Sequence, residues 1–193
     1  MRARAPRHSA ERNGPDVNVC MMIVAFCAVV CAHGVTSSQT QRVLPWARLD
    51  AARKQSLGRK LWDASASGSV AEVVELLEAG IEPDHYRSAS RWTALMQASI
   101  RSDYSARDRI AAALIVRGAD VNAVDMDGWT SLHSLAMLGG DGSLAMVQLL
   151  VDHGADIHRR DASGFSPLDL ATHKGDAAFV RFANACADTA IGQ

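Results

Sequence analysis

Apolar positions cluster in three stretches of similar length: VAEVVELLEAG at 70–80, RIAAALIVRG at 109–118 and SLAMVQLLVDHG at 143–154. Each is apolar on more than one face. That pattern predicts a helix buried between neighbours, since an amphipathic surface helix would show a single stripe. Gly80, Gly118 and Gly154 end the three runs, and glycine takes the left-handed conformation of a helix C-terminal cap without steric cost. Between and after these runs stand shorter phrases of a second kind, RWTALMQAS at 91–99, DGWTSLHSLA at 127–136 and GFSPLDLAT at 164–172. In each, Thr93, Thr130 or Ser166 precedes the first apolar anchor, Leu95, Leu132 or Leu168. The hydroxyl oxygen is placed to cap a short helix whose first turn leaves backbone N–H groups unpaired. Pro167 follows at the first helical position, where its missing N–H costs no bond. At the third helical position, Met96, His133 and Asp169, only Asp169 resembles the reciprocal capping arrangement.

The three hydroxyl residues are 37 and 36 positions apart, and RGADVNA at 117–123 returns as HGADIHR at 153–159. A fixed period between about 20 and 50 residues predicts supersecondary units stacked on copies of themselves. The predicted fold is an all-α repeat solenoid of helix–turn–helix units joined by short hairpin loops. Leu132 is expected to be buried between repeats. Asp120, Asp125, Asp127, Asp156 and Asp161 fall at the turns, where aspartate is favoured for local hydrogen bonding.

In combination these phrases resemble the ankyrin repeat. The family phrase Thr-Pro-Leu-His is matched as Thr130-Ser131-Leu132-His133, more loosely as Thr93-Ala94-Leu95-Met96, and as Ser166-Pro167-Leu168-Asp169. A degenerate first unit, LWDASASGSVAEVVELLEAG at 61–80, fits the helix pair and lacks the hairpin entry. The resemblance covers residues 57–190 and implies about four units, the first and last acting as caps. The spacing departs from the family pattern: Thr93 to Gly118 is 25 residues and Thr130 to Gly154 is 24, where a 33-residue unit needs about 21. The surplus is assigned to polar or glycine-rich loops between the two helices, RSDYSARD at 101–108 and GGDGS at 139–143. Arg181, Asn184 and Asp188 interrupt the apolar face of the last helix, as a cap with one side in water requires.

Trp92, Trp129 and Phe165 each lie immediately before the capping residue and keep the same period. The resemblance implies that this position borders the concave hairpin and inner-helix surface on which the family binds proteins. With Met126 and Met137 flanking Trp129, the five are the candidate partner-binding residues, because large aromatics dominate binding energy and methionine adapts to varied surfaces. The structural alternative stays open: the rings could stack on one another and stabilise the array.

The cluster Ser131, His133 and Ser134 does not read as catalytic. A nucleophile needs a base oriented by a third group in a pocket, and the resemblance assigns His133 to hydrogen bonds with Thr130 that tie one repeat to the next. Zinc spacing is absent: His153 and His158 are separated by a Gly-Ala-Asp turn, and His85, His158 and His173 fall in different turns or loops. The twelve-residue calcium loop of an EF-hand is also missing. No catalytic residue, metal site or cofactor is expected, and the module is expected to be a monomer that is not an enzyme.

Composition refines the picture outside the repeats. The chain has 193 residues, 48% of them hydrophobic, which suits one folded domain. Residues 19–32 form an uncharged apolar run preceded by Arg2, Arg4, Arg7 and Arg12. It is shorter than the roughly 18 to 20 residues of a spanning helix and fits the core of a secretory signal, with Val30 and Ala32 before a cut. Residues 1–32 are therefore read as a signal peptide, giving a periplasmic or secreted protein. Glu11 and Asp16 weaken that reading, so the alternative is an uncleaved membrane anchor, with a start at Met21 or Met22 ranked below it. Three of the four cysteines, Cys20, Cys27 and Cys31, lie in the run; cleavage would leave Cys186 alone and unable to form an intramolecular disulfide. Residues 33–56 are read as a basic, flexible lead-in. Residues 33–60 carry a net charge of +5 and residues 61–193 one of −8. An acidic body argues against nucleic acid, which needs a concentrated basic surface.

Overall fold

The computed structural model describes residues 46–140 and 143–191, with side chains up to residue 185. The expected signal or anchor at 1–32 lies outside the described residues, as do Cys20, Cys27, Cys31 and the side chains of Cys186 and Asp188. Eight α-helices occur among the described residues: α1 Ala51–Ser67, α2 Val70–Glu78, α3 Ala94–Ser99, α4 Tyr104–Val116, α5 Ser131–Leu138, α6 Leu144–Asp152, α7 Pro167–Lys174 and α8 Ala177–Ile191. None is long and apolar enough to cross a membrane. The helices pair as α1–α2, α3–α4, α5–α6 and α7–α8. The first helices, α1, α3, α5 and α7, pack in succession, and so do the second helices, α2, α4, α6 and α8.

The two layers enclose one continuous apolar core. Leu61, Leu95, Leu132 and Leu135 enter it from the first layer, and Val73, Leu77, Ile110, Leu114, Met146, Val147, Leu150 and Phe179 from the second. Fully burying such a side chain is worth about 1.5 to 3 kcal/mol relative to leaving it in water. A repeat presents core residues on both flanks and can cover them only with a neighbour, which is why the units need one another.

The predicted caps are in place. Thr93 Oγ1 accepts from the Met96 N–H at 3.2 Å, and Ser166 Oγ from the Asp169 N–H at 3.1 Å. Asp169 Oδ2 returns the favour by accepting from the Ser166 N–H at 3.0 Å, and this contact with the Ser166 backbone, followed by that with its hydroxyl, holds the carboxyl below its ordinary range. His133 corrects the expectation that Asp169 alone does this: Thr130 donates its N–H to His133 Nδ1 at 3.1 Å, completing a second capping box. An unprotonated imidazole nitrogen serves as well as a carboxylate for that acceptor role. After the second helices, Gly80, Gly118 and Gly154 take φ of +87°, +88° and +86°.

The spacing surplus falls between the helices as expected at 139–143, where α5 ends at Leu138 and α6 begins at Leu144, and differs from expectation at 101–108. Helix α3 stops at Ser99 and α4 begins at Tyr104, so five of the eight residues at 101–108 are helix. Asp103 starts it by accepting from the Ala106 N–H at 3.2 Å. Arg107, read as part of a polar loop, is fully buried; its guanidinium lies 4.7 Å over the Tyr104 ring and Nε donates to Asp108 Oδ1 at 2.9 Å.

Cations staple each layer. Arg101 donates to Ala66 O near the end of α1, Arg117 to Leu77 O of α2, and Lys174 to Met137 O and Leu138 O of α5. Each cation meets the carbonyl end of a helix in the preceding repeat, the negative pole of its dipole. At the N-terminal edge, a short 3-10 turn at Trp46–Arg48 leads into α1. The Trp46 ring meets His85 edge-on at 4.9 Å, and Lys54 Nζ stands 5.6 Å from that ring. The sequence-derived domain start at residue 57 falls inside α1.

Candidate interaction surface on the hairpin face

Between the helix pairs the chain makes three tight turns, Ser88–Trp92, Asp125–Trp129 and Asp161–Phe165. Each closes by a backbone bond from its first N–H to its last carbonyl, at 3.1, 3.0 and 2.9 Å. The first side chain reinforces the turn. Asp125 Oδ1 accepts from the Asp127 and Trp129 N–H groups at 2.9 and 2.8 Å, and Asp161 Oδ1 from Ser163 and Phe165, both at 2.9 Å. Ser88 Oγ does the same for the Trp92 N–H at 3.0 Å.

Successive turns are joined in two ways. The Met126 N–H donates to Ser90 O at 3.1 Å and the Ala162 N–H to Asp127 O at 2.9 Å. The indole of Trp92 donates to Asp125 Oδ2 at 3.1 Å, and that of Trp129 to Asp161 Oδ2 at 3.0 Å. Trp92 and Trp129 are therefore half-buried ties between repeats, and the rings meet aspartates instead of stacking on each other. Trp129 stacks instead on His133, with centroids 6.1 Å apart. Phe165 closes the series with no N–H to satisfy, and no later turn in the described residues could accept one.

His133 is the second tie. It is fully buried, and Nε2 lies 3.2 Å from Phe165 O. With Nδ1 accepting from Thr130, the ring must carry its proton on Nε2 and donate it to that carbonyl. Burial pushes its pKa below the ordinary 6.5, against the hydrogen bond to Phe165 and the carboxylates of Asp161 and Asp125. The ring's two nitrogens are thus committed to holding the fold.

A third tie lies on the outer side of the turns. Asn122 Oδ1 accepts from the Asp156 N–H at 2.9 Å while Nδ2 donates to Gly154 O at 2.8 Å. One repeat earlier, Asp84 Oδ2 accepts from the Asp120 N–H at 2.7 Å, but its buried Oδ1 has no partner. Burial raises the Asp84 pKa above its ordinary value, opposed by the Asp120 hydrogen bond and by Arg87.

Several large apolar side chains remain exposed on the turns and at the far end of α5. Met126 is 67% exposed at the tip of the second turn and Phe165 50% at the end of the third. Met137 and Leu138, at the end of α5, are 43% and 48% exposed. Leu138 was missed in the sequence because an apolar residue at a helix end looks like core until the packing is known. Asp125 and Asp161 as indole acceptors were missed too, although each stands one repeat less four positions beyond its tryptophan. Among the described residues no group of three or more His, Cys, Asp or Glu side chains is placed to hold a metal ion.

The ankyrin repeat profile, in three copies, matches residues 61–161 and 103–184. The chain belongs to the ankyrin repeat family. Among its relatives, the cyclin-dependent kinase 4 inhibitor B of Bos taurus is 32% identical over 128 residues, 66% of this chain and 91% of that protein. The ankyrin repeat and SOCS box protein 6 of Homo sapiens is 35% identical over 127 residues, 65% of this chain but 28% of the relative. The potassium channel AKT1 of Oryza sativa subsp. japonica is 42% identical over 62 residues, 32% of this chain. The chain spans only 6% of the length of that channel. Ankyrin repeats generally bind proteins and are typically non-catalytic, and the committed nitrogens of His133 agree with that character.

Proposed function

We propose that this ankyrin repeat protein is a non-enzymatic module that binds a protein partner through its concave hairpin and inner-helix surface. Met126, Met137 and Phe165, joined by Leu138, make the apolar contact, and Trp92 and Trp129 offer the faces of rings already anchored by their N–H groups. The observation that carries the reading is the exposure of Met126 and Phe165 on the turns, with Met137 and Leu138 exposed at the end of α5. A rigid anchored ring loses little freedom on binding, which favours a hot spot. A relative of which the chain spans 91% is named for inhibiting a protein kinase, which supports a protein as the partner.

The apolar run at 19–32 and its basic flank support export, with residues 1–32 removed as a signal peptide; the alternative is a tethered scaffold in which residues 19–32 stay as an anchor. Sequencing the N-terminus of the purified protein separates the two: a start near His33 supports export, and an intact Met1 supports the tether. For the surface, affinity capture with the wild type and with a Met126→Ser, Phe165→Ser variant gives the test. A genuine partner is lost from the variant while the melting temperature stays within a few degrees. Retention of every partner by the folded variant would sink this surface as the binding site.

A further inference from the structure

The three turns share one backbone conformation but not one residue. At the fourth position φ is +81° at Gly128, +86° at Gly164 and +64° at Arg91. The left-handed region suits glycine and strains a residue with a Cβ atom. The turns close alike: the N–H of Arg91, Gly128 and Gly164 donates to the carbonyl of Ser88, Asp125 and Asp161 at 2.8, 3.3 and 3.0 Å. Glycine would therefore serve the first turn as it serves the other two.

The Arg91 side chain gives the fold nothing in exchange. It is exposed, and among the described residues its guanidinium makes no hydrogen bond or ion pair, unlike Arg101 and Arg117, which hold carbonyls of the preceding repeat. An exposed cation needed only for solubility could stand at any unstrained position. Strain kept at an exposed turn marks a residue that meets something outside the fold. The bond from the Met126 N–H to Ser90 O joins the turn that carries this cation to the turn that carries the exposed Met126.

We propose that Arg91 is a specificity-determining residue, receiving a carboxylate of the protein partner next to an apolar side chain seated on Met126. This rests on the reading of the hairpin face as the partner surface. Guanidinium groups recognise carboxylates in a paired, planar geometry. A single carboxylate fits better than a nucleic acid or an anionic membrane, because residues 61–193 carry a net charge of −8 and would repel an extended polyanion.

The test selects a phage-displayed random-peptide library on the full chain, on Arg91→Gly and on Met126→Ser. Sequences enriched on the wild type should carry Asp or Glu beside an apolar residue, and the acidic preference should vanish on Arg91→Gly. A synthetic peptide from the wild-type pool should lose about tenfold in affinity when its acid becomes the amide. That loss should be absent against Arg91→Gly. The Arg91→Gly protein should melt about 2 to 4 °C higher once the strain is relieved. A pool without acidic preference, a peptide that binds Arg91→Gly as tightly as the wild type, or an unraised melting temperature would overturn the assignment. If binding falls in Met126→Ser but not in Arg91→Gly, only the Arg91 role fails. If no peptide is enriched, or the enriched ones are indifferent to both changes, the reading of the hairpin face fails with it.

Discussion

The indole N–H of Trp129 donates to Asp161 Oδ2 at 3.0 Å across 32 positions of sequence. The other oxygen of the same carboxylate closes its own turn by accepting from Ser163 and Phe165. One side chain therefore shapes one repeat and fastens it to the previous one.

Removing only the indole donor separates the two functions of that carboxylate. Trp129→Phe is expected to cost about 1 kcal/mol, the net worth of one hydrogen bond. Trp129→Ala should cost roughly 3 kcal/mol, because the ring's packing is lost as well. Asp161→Ala should exceed Trp129→Phe, since it also strands two backbone N–H groups. Urea unfolding of the three variants checks the order, and a Trp129→Ala protein of unchanged stability would show that the ring is a contact residue alone.

His133 makes stability depend on pH in a defined direction. Its folded pKa lies below the ordinary 6.5 because burial disfavours the charged ring, so protonation favours the unfolded chain. Its contribution should be complete above about pH 6.5 and be lost as pH falls toward the folded value, at no more than about 1.4 kcal/mol per pH unit. The stability gap between the wild type and His133→Gln, followed by urea unfolding from pH 7.5 downward, should narrow in acid. A gap that is constant across this range would contradict the neutral, doubly bonded imidazole.

Asp84 should behave in the opposite sense. Its folded pKa lies above the unfolded value, with burial the largest cause, so protonation favours the folded chain. Asn122 shows what the site wants, an acceptor on one side and a donor on the other. Asp84→Asn is expected to stabilise by about 1 kcal/mol near neutral pH. The advantage should shrink as pH falls through the folded pKa toward the ordinary 3.8. A destabilised Asp84→Asn protein at pH 7 would show that Arg87 and its charge matter more than the missing donor.

Two glycines with similar φ, +81° at Gly128 and +86° at Gly164, should respond differently to alanine. At Gly128 a Cβ would sit 3.0 Å from the Ala162 nitrogen and 3.2 Å from Asp161 Cα, whereas at Gly164 nothing lies within 4 Å. Gly164→Ala should cost only the left-handed strain, about 1 kcal/mol. Gly128→Ala should cost clearly more, because the next turn must shift and its bond from the Ala162 N–H to Asp127 O is put at risk. Equal melting temperatures for the two variants would argue against the tight stacking of the turns.

The repeat, the caps at Thr93, Thr130 and Ser166, the glycine stops and the leucines that enter the core were all legible in the order of residues. All of these follow from local rules, since helix period, capping and turn propensity act over a few residues and leave their marks within that range. The tertiary structure decided what joins one repeat to the next. That Trp92 and Trp129 spend their N–H groups on Asp125 and Asp161, and that Asp84 meets the Asp120 N–H without the donor Asn122 supplies one repeat later, depend on residues about one repeat apart being brought within hydrogen-bond distance. Sequence gives their types but not that distance. Exposure at the helix end is decided the same way: the burial of Leu132 follows from its place in the repeated phrase, whereas nothing local marks Leu138 as half exposed, and the stacking of α5 between α3 and α7 leaves it so.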